Sequence, residues 1–349
     1  METLKKIYAF LIIVTTVIVL IYLQSIIIPL VLATFLWVMI RVLKKSLLKI
    51  RFIKACPHWL LSVISSLLLF GVMVLAIEII TTNIQYLSNA LPVYENNVNT
   101  ITRYINDSFK IDVYAVISDY FTSELSLGTL LPKLFSALSN IFGQIFIILL
   151  YLIFILLEEH TFSKKIKAMY PDPKKHESVT NLIHKIDKSI GNYIALKTLI
   201  SSFTGFLSYF ALLFIGVDAP FFWSFLIFAL NFIPNIGPII ATLLPTVFVM
   251  LQFGEIMPGI LVLAIVGTIQ ITTGNFVEPR LMGNSLNISP LVVLLTLTLW
   301  GVMWGVIGML LSVPITVILI IIMSEFKGTR PLAIMLSQKG NINEETLEK

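Results

Sequence analysis

The sequence predicts an all-α, polytopic integral membrane protein, and three observations carry that reading. Of the 349 residues, 57% are hydrophobic and 12% charged, and the mean hydropathy is +0.95. A soluble domain carries about 25% charged residues and cannot hide this much apolar surface. The apolar residues come in uninterrupted runs of the roughly 20 residues needed to cross a hydrocarbon core of about 30 Å. Finally, residues 221–323 hold Pro234, Pro238, Pro245, Pro258, Pro279, Pro290 and Pro314 together with nine of the 17 glycines. Straight spans do not need so many breakers, so broken or re-entrant helices are expected there.

Taken in order, the expected spans are 7–23, 26–43, 60–80, 138–157 and 194–216, followed by the continuous apolar region 221–323. The amino-terminal stretch METLKKIYAFLIIVTTVIVLIYLQS has two lysines and an apolar run like a signal peptide. No small-residue cleavage site follows, and another apolar run begins at once, so it reads as an uncleaved span. Segment 41–59 carries Arg41, Lys44, Lys45, Lys49, Arg51 and Lys54 without an acid, and 158–192 carries seven lysines. Basic residues accumulate on the cytoplasmic side of short loops, which places both segments and the amino terminus inside. Between the third and fourth spans, 81–137 has Arg103, Lys110 and Lys133 against five acids and is expected outside.

The resulting division is 1–80 (three spans and a basic loop), 81–137 (an extracytoplasmic helical cap), 138–192 (a span and a cytoplasmic amphipathic helix), 193–323 (a transport core) and 324–349 (a cytoplasmic tail). The cap reads as a mouth for substrate or a subunit contact, or as a lid packed on its own bundle. In 177–197, Val179, Leu182, Ile183, Ile186, Ile190 and Ile194 share one helical face, opposed by Lys185 and Lys188. That helix suits either the headgroup plane or the inner rim of the bundle.

Two short stretches of the apolar third concentrate polar and breaker residues. NFIPNIGPII, 231–240, sets Asn231 and Asn235 around Pro234, with Gly237 and Pro238 following. GNFVEPRLMGNSLNISPL, 274–291, sets Asn275, Glu278 and Arg280 around Pro279, with Gly283 beyond. Irregular backbone at membrane depth persists only where protein or a water-filled cavity surrounds it. A charge at mid-bilayer costs about 2.5–3.5 kcal/mol on insertion scales. These residues therefore mark a transport pathway, joined by Gln270. The competing reading makes Glu278 and Arg280 a solvated cytoplasmic turn and the asparagines helix caps. Asn231-Phe232-Ile233 recurs as Asn275-Phe276-Val277, a match too short to establish an internal repeat. Residues 289–323 are too long for one crossing at 1.5 Å per residue. Gly301, Gly305, Gly308 and Pro314 are the expected hinge or close-packing positions, with Gly301 and Gly305 in small-xxx-small spacing.

These segments, and the glycine run ending in SVPIT, resemble the signature segments of the autoinducer-2 exporter family. IGNYIALKTLISSFTG, 190–205, adds Tyr193, Lys197, Thr198 and Gly205, which resemble the branch linked to quorum-signal transport. Other branches commonly carry Arg-Gly-Gln where Ala195-Leu196-Lys197 stands. The resemblance implies about eight membrane segments, a homo-oligomer expected to be a pentamer, and Tyr193, Lys197 and Thr198 as further pathway residues. It also implies export of a small polar signal, autoinducer-2, by some members and sodium or lithium/proton antiport by others.

Three functions follow. An exporter of a small polar solute would use Asn231, Asn235, Gln270 and Asn275 as neutral hydrogen-bond partners, with Glu278 and Arg280 setting the field. An antiporter needs a carboxylate that alternates between proton and cation, and Asp218, Glu255, Glu278 and Glu78 qualify. A non-transporting scaffold would act through the cap and the cytoplasmic helix. No enzyme is expected: no membrane histidine pairs with a serine, and no Gly-rich phosphate loop with its lysine occurs. Cys56 has no partner and His58, His160, His176 and His184 fall in polar loops without zinc spacing. No metal, cofactor or nucleic acid is expected; the partners are a small molecule or ion, membrane lipid and further copies of the chain.

Overall fold

A computed structural model describes residues 2–49, 57–109, 144–282 and 287–340. In chain order the helices are α1 (Glu2–Tyr22), α2 (Gln24–Leu47), α3 (His58–Phe109), α4 (Ile145–Met169), α5 (Pro173–Ile215), α6 (Pro220–Leu230), α7 (Ile236–Phe253), α8 (Ile256–Thr272), a π turn (Thr273–Val277), α9 (Glu278–Met282), α10 (Pro290–Glu325) and α11 (Arg330–Leu336). Among the described residues, the only bridge pairing joins Ile288 to Ser337. Six helices among the described residues are long and apolar enough to cross a membrane, or seven if the pair Ile145–Glu159 and Thr161–Met169, bent by 65°, is one span. Leu67, Val72, Val74 and Leu75 of α3 are exposed, an arrangement that suits lipid and not water.

Several expectations change. The polar segment 158–192 is more helical than expected: α4 runs on to Met169, and the expected amphipathic helix is part of α5, which continues without a break from Pro173 through the expected span. The helix that holds the third span continues in α3 to Phe109, beyond its apolar stretch Leu60–Leu87, so the first half of the expected cap is a continuation of that helix. Residues 110–137 of the cap lie outside the described residues, as do Cys56, Gly283 and 341–349. All four histidines stand on helices, His58 at the first residue of α3 and His160 at the bend of α4.

The prolines have two fates. Pro220 and Pro290 occupy the first positions of their helices, and Pro238 and Pro258 the first turn, where a missing N–H leaves no intrahelical bond unmade. Pro29, Pro245 and Pro314 sit inside α2, α7 and α10.

The described residues fall into two compact units. Unit 1 takes those within 1–62, 144–195 and 284–349, and unit 2 those within 63–143 and 196–283. Within unit 1, Arg41 is the polar knot. Its guanidinium meets Asp187 at 2.6 Å and Glu159 at 3.5 Å, and lies 4.9 Å from the centre of the Trp37 ring. Trp37 Nε1 donates to Glu159 at 2.9 Å. Unit 1 also holds a sharp reversal in α10 at Gly305 (φ 63°, ψ −143°), a conformation open to glycine. The helix folds back there, so a side chain at Gly308 would strike the Trp300 carbonyl; Trp300 and Trp304, one turn apart before the reversal, lie with ring centres 5.0 Å apart at a tilt of 48°. Unit 2 is built on Ile84, Leu87, Leu212, Trp223, Ile227, Val249 and Val262, contributed by α3, α5, α6, α7 and α8.

Candidate functional site

Unit 2 has a polar structure at each end of its helices. At one end, Tyr94 on α3 donates its hydroxyl to Asp218 Oδ2 at 2.7 Å. The Asp218 backbone N–H donates to Gln252 Oε1 at 2.8 Å, and Gln252 Nε2 donates to the Gly216 carbonyl at 2.8 Å. Asn97 Nδ2 donates to the carbonyls of Leu251 and Gln252, each at 2.9 Å. These bonds cover the open carbonyls at the ends of α5 and α7, which a helix terminus otherwise leaves bare. Gly254 (φ 69°) lets the chain turn against Asn97. Burial is the first cause holding the Tyr94 hydroxyl protonated far above its usual range, with its bond to Asp218 and that carboxylate's charge adding to it.

At the other end lies the ion pair. Lys197 Nζ on α5 meets Glu278 Oε1 on α9 at 2.5 Å, with Lys197's side chain 6% exposed and Glu278's 29%. The π turn positions the carboxylate. Pro279 lacks an N–H and its ring crowds the carbonyl one turn back. Instead of breaking, the chain widens: the Glu278 N–H donates to the Thr273 carbonyl, five residues earlier. One extra residue is accommodated, and α8 passes through to α9. The expected break at Pro279 is therefore a wide turn in a continuous span, Ile256–Met282.

Glu278 and Arg280, which together carry an ion pair's worth of charge, do not face each other. Residues two apart on a helix point to different sides, and Arg280 is exposed while Glu278 turns to Lys197. Asn275 and Pro279 are exposed as well. Asn231 is buried, in the tight turn that joins α6 to α7. That turn contains Pro234 and an exposed Asn235 at φ 60° and ψ −53°, where the Ile236 N–H donates to the Pro234 carbonyl at 2.6 Å in a tight γ-turn. Gly237 closes the turn, since a side chain there would collide with the Leu230 carbonyl. Gln270 is buried on α8 and Thr198 follows Lys197 on α5. Tyr193, buried on α5, and Gly301, Gly305, Gly308 and Pro314 belong to unit 1.

Buried polar atoms without a partner are rare in native proteins, and each calls for a reason. Among the described residues they are Ser65 Oγ, Thr198 Oγ1, Ser201 Oγ, Ser208 Oγ, Trp223 Nε1, Asn231 Oδ1, Gln270 Nε2 and His176 Nδ1. All but His176 lie in unit 2. Sequence reasoning missed Ser201 and Ser208. The signal was available: Lys197, Ser201, Thr204 and Ser208 recur at steps of four, three and four, a polar stripe in an otherwise apolar span.

The model of AI-2E family transporters matches residues 9–328. The chain belongs to the AI-2E transporter family. This AI-2E transporter is 34% identical over 316 residues, 90% of both chains, to the AI-2 transport protein TqsA of Escherichia coli K12. It is 35% identical over 208 residues to the putative transport protein YhhT of the same strain, covering 60% of this chain and 58% of YhhT. A putative transport protein of Borreliella burgdorferi is 31% identical over 258 residues, 73% of this chain and 70% of that one. Family and fold together make the chain a multi-pass membrane transporter of a small solute.

Proposed function

We propose that this AI-2E transporter exports a small, uncharged, hydroxyl-rich solute such as autoinducer-2, with Lys197 and Glu278 as the gate at the inner end of unit 2. The observation that carries the proposal is the buried Lys197–Glu278 pair heading a unit rich in unpartnered neutral polar groups. A buried ion pair seldom stabilises a fold beyond what apolar residues would achieve, so its presence favours a switch role. The likeness to TqsA, named for AI-2 transport, supports that cargo. A neutral solute needs donors and acceptors, which Asn231, Gln270 and Thr198 supply.

The bias of basic residues supports a cytoplasmic amino terminus and puts the Asp218 end outside. Lys197 then lies about 27 Å along α5 from Ile215, one hydrocarbon thickness inward. Assembly as a homo-oligomer, with five copies expected, belongs to the same reading. With the Lys197 ammonium on its carboxylate, Glu278 offers a poor cation site, which weighs against antiport.

Purified protein in liposomes tests the function directly. Outward-facing flux of autoinducer-2 that saturates, and no proton release on adding sodium or lithium, is the expected result. Sodium-driven proton movement with no autoinducer-2 flux would replace export by antiport, and neither activity would leave the scaffold reading.

A further inference from the structure

Lys197, Ser201, Thr204 and Ser208 form one face of α5, spread over about 16 Å of helix. Every one of them is buried. Thr204 satisfies its own hydroxyl by donating to the Ile200 carbonyl at 2.9 Å, the usual resort of a hydroxyl inside a helix. Ser201 and Ser208 do not: both are fully buried and neither Oγ has a partner. The same unit holds the unpartnered Asn231 Oδ1 and Gln270 Nε2, an acceptor and a donor. Where this face meets α6, Gly205 keeps the helices close, since a Cβ there would stand 3.1 Å from the Ser224 carbonyl and 3.3 Å from Phe228.

We infer that Ser201 and Ser208 contact the transported solute and set its class, an uncharged molecule bearing several hydroxyl or carbonyl groups. The inference rests on the export reading above. A hydroxyl can donate and accept in turn, so two of them eleven and four residues beyond Lys197 present matched partners to a polyol-like solute without attracting ions. Lys197 at the head of the stripe, held by Glu278, keeps the charge away from the solute's path until the pair opens. A buried hydroxyl that no protein group partners gains a hydrogen bond from a solute that meets it without giving one up within the protein.

That property makes the test sharp. Removing an unpartnered buried hydroxyl breaks no bond within the protein, so Ser201→Ala and Ser208→Ala leave the melting temperature unchanged or raise it. In liposomes each raises the KM for autoinducer-2 about fivefold, the loss of one net hydrogen bond, with little change in maximal rate. An unchanged KM in both variants overturns the inference. A second arm needs no cargo: Cys56, the sole native cysteine, is replaced by serine, and Ser201→Cys or Ser208→Cys is probed with a water-soluble thiosulfonate. Labelling that speeds up when Glu278→Gln frees Lys197 supports the solute-contacting face. No labelling at either position, with or without Glu278→Gln, overturns it. Labelling in a protein whose wild type moves no autoinducer-2 overturns the export reading alone and keeps the face as a contact for another neutral hydroxylated solute.

Discussion

Lys197 Nζ stands 2.5 Å from Glu278 Oε1, joining α5 to α9 across 81 positions of sequence. The pair stands at one end of a unit whose other end is tied by neutral and singly charged groups around Asp218. Four predictions follow from this two-ended construction.

Breaking the pair leaves one charge uncompensated, a buried ammonium in Glu278→Gln and a partly buried carboxylate in Lys197→Met. Lys197→Met or Glu278→Gln should each destabilise the protein by about 2–4 kcal/mol, the lower part of the usual range because Glu278 retains some solvent. Thermal unfolding in detergent measures this. Lys197→Met combined with Glu278→Leu should recover the stability without recovering flux, whereas the reversed pair, Lys197→Glu with Glu278→Lys, should recover both. Recovery of flux in the apolar pair would show that the charges merely pack.

The Tyr94–Asp218 bond gives a pH signature. Because burial and then the Asp218 carboxylate suppress the tyrosine's ionisation, the folded protein holds that proton more tightly than the unfolded chain does. The stabilisation is therefore complete below about pH 10, the unfolded value, and declines as pH rises above it. Tyr94→Phe should cost about 1.5–3 kcal/mol at neutral pH, as for a hydrogen bond to a charged acceptor. Unfolding curves of the two proteins should converge above pH 10.

Three glycines should separate by what surrounds them. Gly237→Ala drives a methyl into the Leu230 carbonyl, backbone that cannot yield without opening the turn, and should cost about 3 kcal/mol or more. Gly259→Ala meets the flexible Met250 side chain foremost and should cost about 1–2 kcal/mol. Gly274 has open space around its Cα, so Gly274→Ala should change stability by about 1 kcal/mol or less, in the stabilising direction. Melting temperatures of the three variants give the order.

Pro279→Ala restores the missing donor and lets the wide turn relax to an α-helix. The span should gain about 1 kcal/mol or more while flux falls, because the carboxylate no longer faces Lys197. Equal flux in a more stable variant would dissociate the wide turn from transport.

How much of this was legible in the sequence differs by scale. The helices were, because apolar runs of membrane length have few alternatives, and the chain reversal near Gly305 was signalled by glycines in a run too long for one crossing. The partner of Glu278 was not. Spacing along a chain reports neighbours on one helix, and Arg280 was the nearer charge, whereas Lys197 reaches it from a distant helix. Asn235 and Asn275, chosen for their chemistry, are exposed, while Asn231 and Gln270 are buried; residue type alone cannot say which way a helix is rotated. Ser201 and Ser208 escaped because serine is too ordinary to draw notice singly, and only the four-residue rhythm headed by Lys197 marks them out.

The π turn makes angular phase, rather than composition, the fragile property of this segment. One residue too many is wound between Thr273 and Val277, and each residue of a helix carries about 100° of rotation. If the turn tightened to an α-helix with its surplus residue still in place, the tail of the span would swing by about 100°, more than a quarter circle, and aim its carboxylate elsewhere, whereas deleting one residue there would remove the surplus and leave the tail's heading as it is.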